Sequence, residues 1–206
     1  MESGNIYESE RVLEDNLIKQ LIADGYEFVE INDVNDLHDN FRNQINKHNE
    51  QRLKGHKLSD KEFERLLVKI QGKGVYGSSK TLRSLQDIIM DDGSVQYIEL
   101  FNAKNNEWCK NEFQVTHQVT MVGKYENRYD VTLLINGLPL VQIELKRRGI
   151  DFKEAFNQVV RYKKHSFNDL FRFVQIFIVS NGIDTKYLYQ DEKVHTTLAF
   201  VHTAED

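Results

Sequence analysis

Hydrophobic spacing divides this chain into helical and extended stretches. In residues 8–24, Leu13, Leu17, Ile18, Leu21 and Ile22 recur at the three- and four-residue intervals of one helix face, and Gly25 supplies a stop. Residues 26–31 read as a short strand. Helices are expected at 34–48 and at 59–70, the second opened by the capping box Ser59 and Glu62. A loop carrying Gly72, Gly74 and Gly77 precedes a helix expected at 79–90. Strands follow at 94–101, 113–122, 129–136 and 140–146, then a helix at 151–165, then strands at 173–180, 186–190 and 197–202. Helices interleaved with strands predict a single α/β unit over residues 1–206, with a mixed central β-sheet flanked by helices. Its core is expected over about 8–190, with a variable helical region at about 32–92.

The most informative alternation lies in residues 127–146. The odd positions Val131, Leu133, Ile135, Val141, Ile143 and Leu145 are all apolar, whereas Asp130, Thr132, Gln142, Glu144 and Lys146 share the even face. A two-residue turn at Asn136-Gly137 would set polar side chains opposite apolar ones, which a buried face forbids. Pairing about Gly137 instead keeps like opposite like and puts Asp130 directly across from Glu144, with Lys146 two residues along. Opposed carboxylates repel unless a cation lies between them. Magnesium suits that position, because it takes one or two protein carboxylates and completes its shell with water and phosphate. The competing reading is a solvated strand face that happens to carry an Asp, a Glu and a Lys.

Composition neither demands nor forbids such chemistry. The 206 residues hold 40% hydrophobic side chains, enough for a folded core, and a net charge of −5 argues against a nucleic-acid binder at first sight. Charge is unevenly distributed, however. Between Lys124 and Arg172 ten basic residues face six acidic ones, a local +4 that leaves −9 for the remainder. Arg147, Arg148, Arg161, Lys163 and Lys164 could therefore meet backbone phosphates beside the carboxylates, or form an ordinary basic surface. One cysteine, Cys109, permits no internal disulfide and suits a reducing cytoplasm. No apolar run reaches membrane-span length, so no membrane partner is expected.

Two further features need a tertiary explanation. Glu14 falls inside the apolar arc of the first helix, as does Glu10, and an inward carboxylate must be paired, liganded or protonated unless that helix end is exposed. Gln158 and Tyr162, four apart, share one face of the 151–165 helix, where they could be a surface amide beside a packed aromatic.

Taken together, Asn127-Arg-Tyr-Asp130, Asn136-Gly-Leu-Pro-Leu-Val-Gln-Ile-Glu-Leu-Lys146 and Glu154-Ala-Phe-Asn-Gln-Val-Val-Arg-Tyr162 resemble the N-terminal endonuclease domain of the restriction subunit of type I restriction–modification enzymes. The likeness runs from Leu13-Glu14 to Thr185 and is weakest over 32–112. It implies a PD-(D/E)xK nuclease core, with Asp130 and Glu144 as metal carboxylates, Lys146 as the catalytic lysine and Glu14 as the first-helix glutamate. It also assigns Gln158 and Tyr162 to the family's QxxxY motif, although Tyr129 stands where the name of the fold has Pro. The implied activity is that of a type I site-specific deoxyribonuclease, cutting double-stranded DNA with Mg²⁺. Motor domains in cis would use ATP, and methyltransferase and specificity subunits would complete the complex. No GxxxxGK[ST] motif occurs in these 206 residues, so the chain is expected to be an N-terminal fragment without the motor. The alternatives are a DNA-binding or docking module that keeps the fold without cutting, and a stand-alone nuclease.

Overall fold

The computed structural model describes residues 9–71, 75–104, 110–122, 126–147, 169–189 and 199–202. Helix α1 (Glu10–Ala23) begins where Ser9 accepts the Val12 N–H and ends before Gly25, whose φ of +98° a side chain would resist. Strand β1 (Glu27–Phe28) follows, then α2 (Val34–His48), capped by Asp33, and α3 (Asp60–Ile70), which opens with the Ser59–Glu62 capping box. After α4 (Val75–Leu82) come β2 (Gln86–Ile89) and β3 (Val95–Ile98), and then the long strands β4 (Phe113–Val122), β5 (Glu126–Ile135) and β6 (Leu138–Leu145). A 3-10 turn (Asp169–Phe173) leads into β7 (Ile176–Ser180), β8 (Asp184–Tyr189) and β9 (Ala199–His202).

Among the described residues seven strands form one mixed sheet in the order β1-β4-β5-β6-β7-β8-β9, while β2 and β3 pair separately. β1 runs parallel to β4 and β6 parallel to β7; the other neighbours are antiparallel. Both faces are covered. On one, Ile18 with Leu13, Leu17 and Leu21 of α1 packs on Val115, Val131, Ile143 and Leu145. On the other, Leu37, Phe41 and Ile45 of α2 and Phe63, Leu66 and Ile70 of α3 join the sheet's Leu134, Phe177 and Val179 in a larger core. The mixed sheet flanked by helices is therefore present, and the helices of the 32–92 region supply much of the main core.

Three expectations need correction. The helix expected at 79–90 is divided: α4 stops at Leu82, where the Gln86 amide donates to the Thr81 and Ser84 carbonyls, and Gln86–Ile89 alternates buried and exposed as a strand. The strand expected at 26–31 shrinks to Glu27–Phe28, because Asp36 takes the Asn32 N–H and draws the chain into α2. The turn of the central hairpin is the two-residue Asn136-Gly137 after all, with φ of +48° and +81°. Its register holds only at the tip, pairing Ile135 with Leu138 and Leu134 with Pro139. Leu140 is then an extra residue, and beyond it Leu133 pairs with Val141, Thr132 with Gln142 and Val131 with Ile143, the register that keeps like opposite like. The bulge is stabilised from outside the hairpin, since Gln175 N donates to the Leu140 carbonyl at 2.8 Å.

The tip is equally well held. The Asn136 side chain accepts the Glu112 N–H at 2.7 Å and donates to the Leu100 carbonyl at 2.8 Å. A Cβ on Gly137 would lie 2.7 Å from the Phe41 Cα, so glycine is required there both by backbone conformation and by contact with α2. Among the described residues no helix is long and apolar enough to cross a membrane.

Candidate active site

Continuing the β5–β6 register one step past Val131–Ile143 brings Asp130 opposite Glu144. The regular ladder stops there. Instead of a backbone carbonyl, the Asp130 carboxylate receives the Leu145 N–H, at 2.8 Å to Oδ2. The Lys146 N–H donates to the Ser180 carbonyl at 2.9 Å, so β7 fixes the far end of β6.

The even face of this hairpin is not solvated. Thr132 is fully buried, Gln142 1% exposed and Glu144 2% exposed, so the reading of an outward charged face does not hold. The hairpin is buried on its polar as well as its apolar side, because helices cover both faces of the sheet. Glu144 Oε1 accepts from Lys146 Nζ at 2.7 Å, whereas Glu144 Oε2 is buried without a hydrogen-bond partner. A buried carboxylate oxygen in that condition is costly and calls for a cation, a water or a proton.

The titration behaviour follows from this geometry. Burial first, and then the charge of Asp130, push Glu144 up to about 7, against the pull of Lys146. Asp130 is also raised, chiefly by burial, with Glu14 and Glu10 adding to the effect and the Leu145 N–H and Lys146 opposing it. Burial works against the Lys146 ammonium, but Glu144 and Asp130 outweigh it and hold its pKa above the ordinary value. Two acids that resist ionising together, beside a lysine kept charged, form a site short of positive charge.

Glu14 is 6% exposed and reaches β4, where Oε1 lies 2.6 Å from His117 Nδ1 and Oε2 accepts from Gln118 Nε2. The inward carboxylate of α1 is thus paired. Glu10 binds the exposed end of the hairpin, its Oε1 accepting the Arg147 N–H at 3.1 Å. A cavity of about 480 Å³ opens between α1, β4 and β5, lined by Glu10, Arg11, Glu14, His117, Arg128 and Asp130 among others. Arg147 is exposed beside it in sequence; Arg148, Gln158, Arg161, Tyr162, Lys163 and Lys164 lie outside the described residues.

The donor set suits magnesium. Two carboxylates, one with a vacant buried oxygen, match an ion that binds few protein ligands and keeps waters. Among the described residues no group of three or more His, Cys, Asp or Glu side chains is arranged to hold a metal, as a zinc site would require. His117, Gln118, Arg11 and Arg128 were not singled out by sequence reasoning. The polar alternation Gln114, Thr116, Gln118 in a strand of a covered sheet was the available signal, but it does not indicate which partner each side chain meets.

Comparison with known proteins identifies a family and several relatives. The family described as type I restriction enzyme R protein N terminus matches residues 7–194. The chain is 50% identical over 187 residues to the type I restriction enzyme SsaAORF53P endonuclease subunit of Staphylococcus saprophyticus, covering 91% of this chain and 20% of that protein. It is 50% identical over 186 residues to the SauMSSORF170P endonuclease subunit of Staphylococcus aureus, and 40% identical over 196 residues to the EcoprrI endonuclease subunit of Escherichia coli, of which it covers 60%. The chain therefore spans about a fifth of the length of the staphylococcal relatives. With a family match across most of its residues, the chain belongs to the type I restriction enzyme R protein N-terminal family.

Proposed function

We propose that this chain is a Mg²⁺-dependent DNA endonuclease domain that hydrolyses phosphodiester bonds of double-stranded DNA. The observation that carries the reading is Glu144: buried, with one oxygen on Lys146 and the other unpartnered, and raised in pKa in part by Asp130. Three relatives that share 40–50% of its residues are named as endonuclease subunits, which supports the same reading.

Asp130 and Glu144 would hold the cation, which when bound supplies Lewis acidity toward a phosphoryl oxygen and a more acidic water. Lys146 keeps its charge beside Glu144 and can donate a hydrogen bond to the attacking water or to a nonbridging phosphate oxygen, where negative charge grows during hydrolysis. Glu14 adds negative charge near Asp130, and Arg147 with Arg148, Arg161, Lys163 and Lys164 provides positive charge for the DNA backbone. Gln158 and Tyr162 would position the strand. Nothing in this set reads a base sequence, so target choice would rest with a specificity subunit. In the assembled enzyme, cutting would follow ATP-driven translocation by motor domains, with the methyltransferase as a further partner.

The test is conversion of supercoiled plasmid to nicked and linear forms in Mg²⁺, comparing the unaltered chain with Glu144→Ala and Lys146→Ala. Cutting by the unaltered chain and loss in both variants supports the proposal. Equal cutting by all three rejects the assigned residues, and DNA retention without cutting by any of them identifies a binding module instead.

A further inference from the structure

Both oxygens of the Glu14 carboxylate are held by consecutive residues of one strand, His117 and Gln118. Consecutive side chains of a regular strand point to opposite faces, so this is not something ordinary β-structure provides. It becomes possible because Gln118 has φ of +55°, a left-handed conformation that a residue with a side chain keeps only when its surroundings enforce it. Gln118 also lies across from Asp130, between the ladder pairs His117–Val131 and Val119–Tyr129. The residue with the irregular backbone thus stands opposite one acid of the site and hydrogen-bonds a second. The ring of Phe28 meets His117 edge-on at 5.5 Å, which limits how far the imidazole can turn.

We propose that His117 and Gln118 are positioning residues: together they clamp the Glu14 carboxylate at the Asp130 side of the cavity, where its charge strengthens the hold on a divalent cation. This rests on the metal-dependent reading above. Because its two oxygens are already engaged within the protein, Glu14 acts through its field rather than as a ligand. Glu14, Gln118 and Asp130 line one cavity, so that field falls on the side where the cation would sit. The bond from Glu10 to the Arg147 N–H anchors the first turn of the same helix, so α1 is tied both to β4 and to the segment that follows Glu144 and Lys146. A clamp that served only to attach α1 would not need a strained residue opposite Asp130.

The experiment measures calorimetric binding of Mn²⁺ alone to the full 206-residue chain, with thermal unfolding in EDTA alongside. Gln118→Gly removes the amide and accepts the left-handed backbone. Its Tm in EDTA is expected to equal or exceed that of the unaltered chain while Mn²⁺ binds about tenfold more weakly, the size of effect typical of outer-shell partners. Glu14→Gln is expected to weaken Mn²⁺ by a similar factor. Adding Gln118→Gly to Glu14→Gln should cost less than about twofold more, since the charge being positioned is gone. Should Gln118→Gly lower the Tm, Gln118→Asn replaces it, tolerating the same φ with a side chain one methylene shorter, with the same expected loss of affinity. Undiminished Mn²⁺ affinity in the Gln118 variant, or full additivity with Glu14→Gln, overturns the clamp alone. Absence of Mn²⁺ binding by the unaltered chain overturns the metal-dependent reading and the clamp with it.

Discussion

Ionising Glu144 in the metal-free protein opposes folding, and the opposition can be measured. Its carboxyl is lifted from 4.5 to about 7, first by burial and then by Asp130. At about 1.4 kcal/mol per pH unit this rise corresponds to about 3 kcal/mol. Because the folded chain binds the proton more tightly than the unfolded chain, the favourable contribution is complete below pH 4.5 and is lost as pH rises through about 7. Glu144→Gln keeps the shape and an oxygen acceptor for Lys146 but cannot ionise. Lys146 then loses its charge partner, so the expected net gain above pH 8 in EDTA is about 1–3 kcal/mol, or a Tm higher by roughly 2–10 °C for a chain of this size. The gain should shrink to nothing near pH 4.5. Millimolar Mg²⁺ should then raise the Tm of the unaltered chain and leave Glu144→Gln nearly unmoved, because only the former offers two carboxylates. Scanning calorimetry at several pH values, with and without Mg²⁺, provides the measurement. A Glu144→Gln variant less stable than the unaltered chain at every pH in EDTA would show that the buried carboxylate is comfortable as an anion, and the argument for a cation site would fail.

Other consequences can be tested separately. Lys146→Met should leave the far-ultraviolet circular dichroism unchanged while slowing plasmid nicking by at least about a hundredfold, the loss expected when a positioned charge at the reacting phosphate is removed. Gly137→Ala should lower stability in urea by about 2 kcal/mol or more, since the new Cβ would meet the Phe41 backbone at 2.7 Å with φ at +81°. Tyr129→Ala should cost about 3–5 kcal/mol by the same measurement. That side chain is fully buried and its ring centroid lies 4.5 Å from that of Phe171. Substituting Arg128, which lines the cavity beside Asp130, should raise KM for cutting and make the slope of log Kd against log salt shallower by about one, the loss of a single phosphate contact.

Much of this molecule could be read from residue order because the relevant physics is local. Helical spacing marks α1, α2 and α3, and the Ser59–Glu62 capping box forms as its residue types require. Alternation locates β4, β5 and β6, and the cost of a misaligned buried face foretells the register that brings Asp130 opposite Glu144. An acid inside an apolar arc announces that Glu14 needs a partner. What residue order leaves open depends on groups distant in the chain. The extra residue at Leu140 is stabilised by Gln175, the end of α4 by the Gln86 amide, and the burial of Glu144 by helices on both faces of the sheet. Most of all, the identity of Gln118 does not foretell its left-handed backbone. In that conformation its amide meets Glu14, more than a hundred residues earlier, and such a bond acquires its energy only once helix and sheet have met.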